Sequence, residues 1–345
     1  MKKIIFILLL LPLQSISQLN GFTLVGNPQS PNGATWTYQD SVNGIWYDLE
    51  GILFIPSTGT PPFPAVIINH GTGGNAYGYS KNMAMKMVQW NFVCIATNLC
   101  HSSGVPIGSP GDTSFANQGA SINNSLRGMK CRDILCSLAE VDTDCIMAFG
   151  HSRGAYATTG LVAMNPGKFS CAGHTSGGAI QQSGYSAPST TLATQVTCPY
   201  IMHHGDSDQV VPAFYDSTLN AVYNGTGITH QLYIYPGLDH PQMSMDSLML
   251  VRTHDWFVNH SCMVTSSTGS EKENEFQVIP QPGNFFKIVS AQKDFIASLY
   301  NINGQKILET KLTLIDCRNI NPGIYLLRII SGKKYFARKI IIGSN

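Results

Sequence analysis

From about residue 20 to residue 260, short apolar runs alternate with longer stretches of helical spacing. The runs AVIINHG (65–71), FVCIATN (92–98), DCIMAFG (144–150), FSCAGHTSG (169–177), CPYIMHHG (198–205) and HQLYIYPG (230–237) predict strands. They are continuously apolar rather than alternating, the pattern of strands buried on both faces of a parallel sheet. KNMAMKMVQWN (81–91), NSLRGMKCRDILCSLAEV (124–141), RGAYATTGLVAM (153–164) and SMDSLMLVRTHDWFVNH (244–260) predict the helices that cover it. Runs near 34–39 and 45–56 predict an antiparallel pair at the sheet edge. The fold class is α/β, a mostly parallel central sheet with helices on both faces.

After residue 262 the pattern changes. Residues 263–276 are polar, with Ser, Thr, Gly and a small charge cluster, and predict a linker. Beyond it FFKIVSA, DFIASLYNING, QKILETKLTLID, GIYLLRIISG and KKYFARKIIIG are short strands with turn signals at Asn303-Gly304, Pro322-Gly323 and Ser331-Gly332. Residues 277–345 therefore predict a small all-β sandwich behind a catalytic domain of residues 18–262. At the other end, two lysines precede an apolar core and small residues, the layout of a secretory signal peptide over 1–17 cleaved before Gln18. That core is shorter than the roughly 20 residues of a membrane span, and no second such run occurs.

Composition supports export. Charged residues are only 12% of the chain and the net charge is +1 without a basic or acidic block, which removes nucleic acid as a partner. Nine cysteines suit an oxidising compartment, so disulfides are expected, with no pairing assigned. Cys94, Cys145 and Cys171 lie in apolar runs and equally read as small buried hydrophobes, and Cys131 and Cys136 point in different directions on a helix.

Candidate chemistry centres on IMAFGHSRGAYATTG (146–160), the one G-x-S-x-G match in the chain. A strand enters it and a helix leaves it, the context of a sharp turn presenting a nucleophilic serine, Ser152. A serine needs a base and an orienting acid. On such a sheet these come from later loops, in the order Ser, acid, His. DSDQVVP (206–212) supplies Asp206 and Asp208, of which Asp208 is favoured as the acid and Asp206 as a turn cap. LDHPQM supplies His240 as the base. His254 and His260 fall within or just after the last helix and read as surface or core residues; His203 and His204 lie at a strand end, where His204 is within reach of the site but its position suits turn packing. Backbone N–H groups of Arg153 and Thr72, the latter in NHGTGGN with Gly73 as runner-up, are the oxyanion-hole candidates. His70 and His151 flank them as candidate orienters of the two loops. Tyr77, Tyr79, His101 and His174 are pocket candidates on loops 72–80, 98–123 and 174–197. No metal-ligand spacing is present and no cofactor is called for.

PAVIINHGTGG, KMVQWNFVCIATN, GHSRGA, CPYIMHHGDSDQVVP and YPGLDH together resemble an α/β-hydrolase of the dienelactone hydrolase and polyester hydrolase/cutinase-like group, over roughly residues 45–260. The resemblance implies Ser152 as nucleophile, Asp208 as acid, His240 as base and Thr72 and Arg153 as oxyanion donors, in a serine carboxylic-ester hydrolase. The chain departs from the polyester hydrolases at Arg153, where they carry Met, and in HTSGGAIQQ (174–182), which lacks their substrate-clamping tryptophan. Arg after the serine also occurs in glucuronoyl esterases, a hint toward plant-polymer esters. The tail segments IASLYNINGQKIL, INPGIYLLRI and GKKYFARKIII resemble a type IX secretion C-terminal sorting domain. That resemblance implies export by the type IX machinery and a secreted or cell-surface location. The expectation is an enzyme acting on a neutral small-molecule or polymeric ester. Alternatives are a peptidase or amidase on the same fold, or a catalytically silent surface-binding protein.

Overall fold

The structure is a computed structural model, and it describes residues 19–42, 45–102, 118–182, 186–260, 276–281, 284–290, 294–301, 305–331 and 334–342. The signal-peptide segment, the linker up to residue 275 and the turn residues Asn303, Gly304 and Gly332 lie outside them. The chain divides into two compact units, Met1–Ser266 and Ser267–Asn345.

The first unit holds strands β1 Phe22–Val25, β2 Ala34–Val42, β3 Ile45–Phe54, β4 Phe63–Asn69, β5 Val93–Thr97, β6 Val141–His151, β7 Cys171–Thr175, β8 Tyr200–Gly205 and β9 His230–Tyr235. Its helices are α1 Lys81–Met87, α2 Ile122–Cys136, α3 Arg153–Met164, α4 Thr190–Ala193, α5 Phe214–Thr226, α6 His240–Met243 and α7 Ser247–His260. The strands form one sheet in the order β1-β2-β3-β5-β4-β6-β7-β8-β9. Pairing is antiparallel from β1 through β5 and parallel from β5 to β9. The edge is therefore β1, one strand further out than the sequence pattern suggests, because FTLV is too short to show a period.

The central strands are apolar throughout because both faces are covered. Ala65 and Ile67 of β4 join Ile134 and Leu135 of α2, Leu161 of α3 and Leu219 of α5 on one face. Val66 and Ile68 join Met83 and Met87 of α1 and Phe257 of α7 on the other. All four β4 side chains are 0% exposed, and burying an aliphatic chain of this size stabilises by about 1.5–3 kcal/mol. Winding reverses at β4: the next strand in sequence, β5, pairs on one side and β6 on the other. Ligands of such sheets bind beyond the carboxyl ends of the strands at the switch point, which here is where the chain leaves Asn69 and His151.

The eight described cysteines are free thiols, which corrects the expectation of disulfides among them; Cys262 lies outside the described residues. The sheet itself keeps several apart: Cys94 and Cys171 pack on one face and Cys131 and Cys198 on the other.

The second unit is all antiparallel. β10 Phe276–Gln281, β11 Phe285–Ser290 and β14 Leu314–Asp316 form one sheet, and β12 Ile296–Asn301, β13 Lys306–Thr310, β15 Gly323–Ser331 and β16 Lys334–Ile342 form another. Alternate residues such as Phe286 and Ile288 from the first sheet and Leu299, Leu327 and Ile329 from the second share one core, as two packed sheets require. β10 begins at Phe276, the residue at which the sequence pattern ends the linker.

Candidate active site

Strand β6 ends at His151 and α3 begins at Arg153, leaving Ser152 alone to make the turn. Ser152 has φ 59° and ψ −126°, a left-handed conformation that a non-glycine residue holds only when its surroundings enforce it. Its N–H donates to the Thr175 carbonyl of β7 at 3.0 Å. The flanking glycines are dictated by close approach. A Cβ on Gly154 would lie 2.2 Å from the Asn69 carbonyl oxygen, and one on Gly150 would lie 2.3 Å from the Gly154 carbonyl oxygen. Ser152 thereby stands at the start of α3, beside the turn that follows β4.

His240 opens the short helix α6 and is fixed by its neighbours. Asp239 accepts from the Gln242 N–H at 2.9 Å, while Gln242 Oε1 accepts from the Asp239 N–H at 2.9 Å, a reciprocal cap. His240 Nε2 lies 2.9 Å from Ser152 Oγ, and its Nδ1 lies 2.7 Å from Asp208 Oδ2. The other oxygen of Asp208 accepts the backbone N–H groups of Val210 at 2.9 Å and Val211 at 2.8 Å. Burial works against the charge of Asp208, but hydrogen bonds from His204, His240 and the Val211 backbone outweigh it and hold the carboxyl well below the usual range. Asp206 plays a different part, since its Oδ1 accepts the Gly237 N–H at 2.7 Å and clamps the two loops together.

The turn after β4 abuts the serine. A Cβ on Gly71 would lie 3.1 Å from Ser152 Cβ. The turn closes through the Gly74 N–H on the Gly71 carbonyl at 3.2 Å, with Thr72 and Gly73 exposed at its tip and Gly73 at φ +67°. The Arg153 side chain donates to Gln118 Oε1. The Tyr77 phenol is pushed up to about 12, first by burial and then by the Glu50 carboxylate it bonds.

His151 lies with its ring 4.7 Å from that of His240 and Nδ1 2.8 Å from Thr175 Oγ1. Burial, followed by the nearby His240, pushes it down to about 3. His70 is held by the Leu99 N–H at 3.1 Å and the Ser102 hydroxyl at 2.9 Å on Nε2, and its carbonyl meets His101 Nε2 at 2.9 Å.

His174 is not a pocket residue. It is 0% exposed, and its two nitrogens meet Tyr200 Oη at 2.9 Å and Asp216 Oδ1 at 2.7 Å. His204, assigned from the sequence to turn packing, shares Asp216 with it. Asp216 gave no sequence signal, because helix α5 itself is not apparent in the pattern. A cleft of about 420 Å³ lined by Gln29, Phe54, Ile55, Met85 and Val88 lies at the other end of the sheet, where Phe54 pairs with Cys94 near the start of β5. Among the described residues no group of three or more His, Cys, Asp and Glu side chains is arranged to hold a metal ion. None of the described helices is long and apolar enough to cross a membrane.

Comparison with known proteins gives the same architecture. Residues 112–255 match the phospholipase/carboxylesterase family, and residues 277–343 match the secretion system C-terminal sorting domain. No curated protein matches the chain. Among solved structures, a cold-adapted esterase from an Arctic intertidal metagenomic library is 16% identical, with TM-score 0.52, over 66% of this chain and 94% of that one. The S-formylglutathione hydrolase of Agrobacterium tumefaciens is 11% identical, with TM-score 0.53, over 69% and 99%. Dipeptidyl peptidase 4 of Porphyromonas gingivalis is 13% identical, with TM-score 0.54, over 66% of this chain but only 36% of its own. Strand order and family match agree: the first unit has the α/β-hydrolase fold, and the chain carries a type IX secretion C-terminal sorting domain that marks it for export to the cell surface or beyond.

Proposed function

We propose that the chain is a serine carboxylic-ester hydrolase in which Ser152, His240 and Asp208 form the catalytic triad. The observation that carries this reading is the continuous path from Ser152 Oγ to His240 Nε2 at 2.9 Å and from His240 Nδ1 to Asp208 Oδ2 at 2.7 Å, beginning at a serine held at φ 59°. Asp208 is acceptor-only when ionised, so His240 places its proton on Nδ1 and leaves Nε2 to take the proton of Ser152. The freed alkoxide attacks the ester carbonyl. The developing oxyanion meets the Arg153 N–H at the start of α3 and the Thr72 N–H in the turn packed against Ser152, which are the proposed donors. His240 returns the proton to the leaving alcohol, and a water activated by the same imidazole then releases the acid and restores Ser152.

The low charge of the chain favours a neutral ester, whether a small molecule, a polyester or a plant-polysaccharide ester. Glycine at 71 and 73 lets backbone rather than side chains meet the substrate. Fold likeness to a dipeptidyl peptidase keeps amide cleavage as the second reading.

A panel of p-nitrophenyl esters of increasing acyl length, run beside dipeptide p-nitroanilides with wild type and Ser152→Ala, tests both. Ester hydrolysis is expected, falling on the order of 10⁴-fold or more in the variant. Equal rates in both proteins would overturn the triad, and anilide turnover exceeding that of the esters would move the assignment to a peptidase.

A further inference from the structure

Behind Asp208 lies a second set of ionisable side chains that the proposed reaction does not use. His204, on β8, is 0% exposed, and its Nδ1 lies 2.7 Å from Asp216 Oδ2. Its Nε2 lies 2.8 Å from the Val211 carbonyl oxygen and 3.5 Å from Asp208 Oδ2. A carbonyl oxygen only accepts, so Nε2 carries a proton. Asp216, fully buried, has its other oxygen 2.7 Å from His174 Nε2. A buried carboxylate with an imidazole nitrogen at each oxygen is satisfied when both nitrogens donate, and that puts the second proton of His204 on Nδ1.

We propose that His204 is a resident imidazolium, fixed by Asp216, which partly neutralises Asp208 and so keeps His240 unprotonated and competent as a base at neutral pH. The proposal rests on the triad reading above.

The charge of Asp208 favours protonated His240, and a positive charge against the same oxygen opposes it. Burial alone would discharge His204, but its bonds with Asp208 and Asp216 prevail and push it up to about 10. Asp216 is held well below the usual carboxylate range despite its burial, chiefly by His174. Other titratable groups surround the pair. His151, beside His240, is pushed down to about 3. His203, next along β8, is turned toward Tyr235 and Thr253 and is likewise pushed down to about 3. His174 and Tyr200 complete the far side of Asp216, and burial drives the phenols of Tyr156 and Tyr200 up. Arg153, on α3, is a fixed cation that does not titrate here.

Two measurements test this. In the first, kcat/KM for p-nitrophenyl butyrate is recorded against pH for wild type and His204→Gln, which keeps an amide donor but no charge. Loss of the positive charge makes His240 hold its proton more tightly, so the acid limb is expected to move up by about one pH unit. An unmoved or downshifted limb, whatever the loss in kcat, overturns the proposal and leaves His204 a structural residue. In the second, ¹⁵N NMR of histidine-labelled wild type at pH 8 is expected to show one ring with both nitrogens protonated. Its absence overturns the proposal even where the variant fails to fold. An inactive wild type would overturn the proposed function instead, with the NMR spectrum still deciding the charge of His204.

Discussion

Asp208 and Asp216 sit eight residues apart, and both hold histidine rings, yet the two clusters end differently. Asp208 meets His240 Nδ1 at 2.7 Å, and the far nitrogen of that ring meets a strained serine at the switch point. Asp216 meets His174 Nε2 at 2.7 Å, and the far nitrogen of that ring meets Tyr200 Oη, which passes to Thr159 Oγ1 at 2.8 Å and ends in the core. The His240 side chain is 12% exposed, whereas His174, His204 and Asp216 are 0% exposed. An aspartate–histidine pair is thus no mark of catalysis in itself. What the far nitrogen faces, and whether a substrate can reach it, separates the pair proposed to react from the packed one.

The sharpest way to break this comparison is Asp208→Asn, which keeps the shape but invites the wrong tautomer of His240. A fall in kcat on the order of 10⁴-fold is expected, with little change in the urea midpoint. Steady-state kinetics on a p-nitrophenyl ester check it, and a loss below about tenfold would put Asp208 on the same footing as Asp216.

Asp216→Asn should invert the pattern. It removes the anion from a fully buried cluster and leaves the cationic His204 with Asp208, at 3.5 Å, as its nearest carboxylate. Stability is expected to fall by about 3–5 kcal/mol in urea unfolding, while kcat falls no more than about tenfold. A variant as stable as wild type would show that Asp216 is not ionised in the native protein.

The same contrast explains what could be read in advance. Ser152, Asp208 and His240 lie on turns after predicted strands, in a fixed order, and their glycine and proline neighbours punctuate the sequence. The central strands are legible because parallel burial makes them continuously apolar. Helix α5 is not, because its inward positions are Asp216, Leu219 and Tyr223. The spacing is helical, but one member of the stripe is a carboxylate, and Ser217, Thr218, Asn220 and Asn224 are indifferent helix formers. Without α5 nothing in the sequence brings Asp216 to His174 and His204, and the pattern leaves His174 among the pocket candidates. Disulfides misled for a related reason: the cysteine count speaks of compartment, while pairing depends on which face of the sheet each thiol occupies.

The smallest effect, and the finest test of the comparison, is Tyr200→Phe. Its hydroxyl joins His174 Nδ1 at 2.9 Å to Thr159 Oγ1 at 2.8 Å, and Thr159 in turn lies 3.2 Å from the Ala155 carbonyl oxygen on α3. Removing the hydroxyl leaves one imidazole nitrogen without that partner while the ring still fills its place beside Tyr223. A buried polar group left unsatisfied costs about 1–3 kcal/mol, so a modest drop in the urea midpoint is expected. Because this chain of bonds reaches only the α3 backbone and no side chain of the proposed triad, kcat should stay within about twofold of wild type. Should kcat fall tenfold while stability holds, the buried cluster would be coupled to the serine through α3, and the division between a reacting and a packed aspartate–histidine pair would no longer stand.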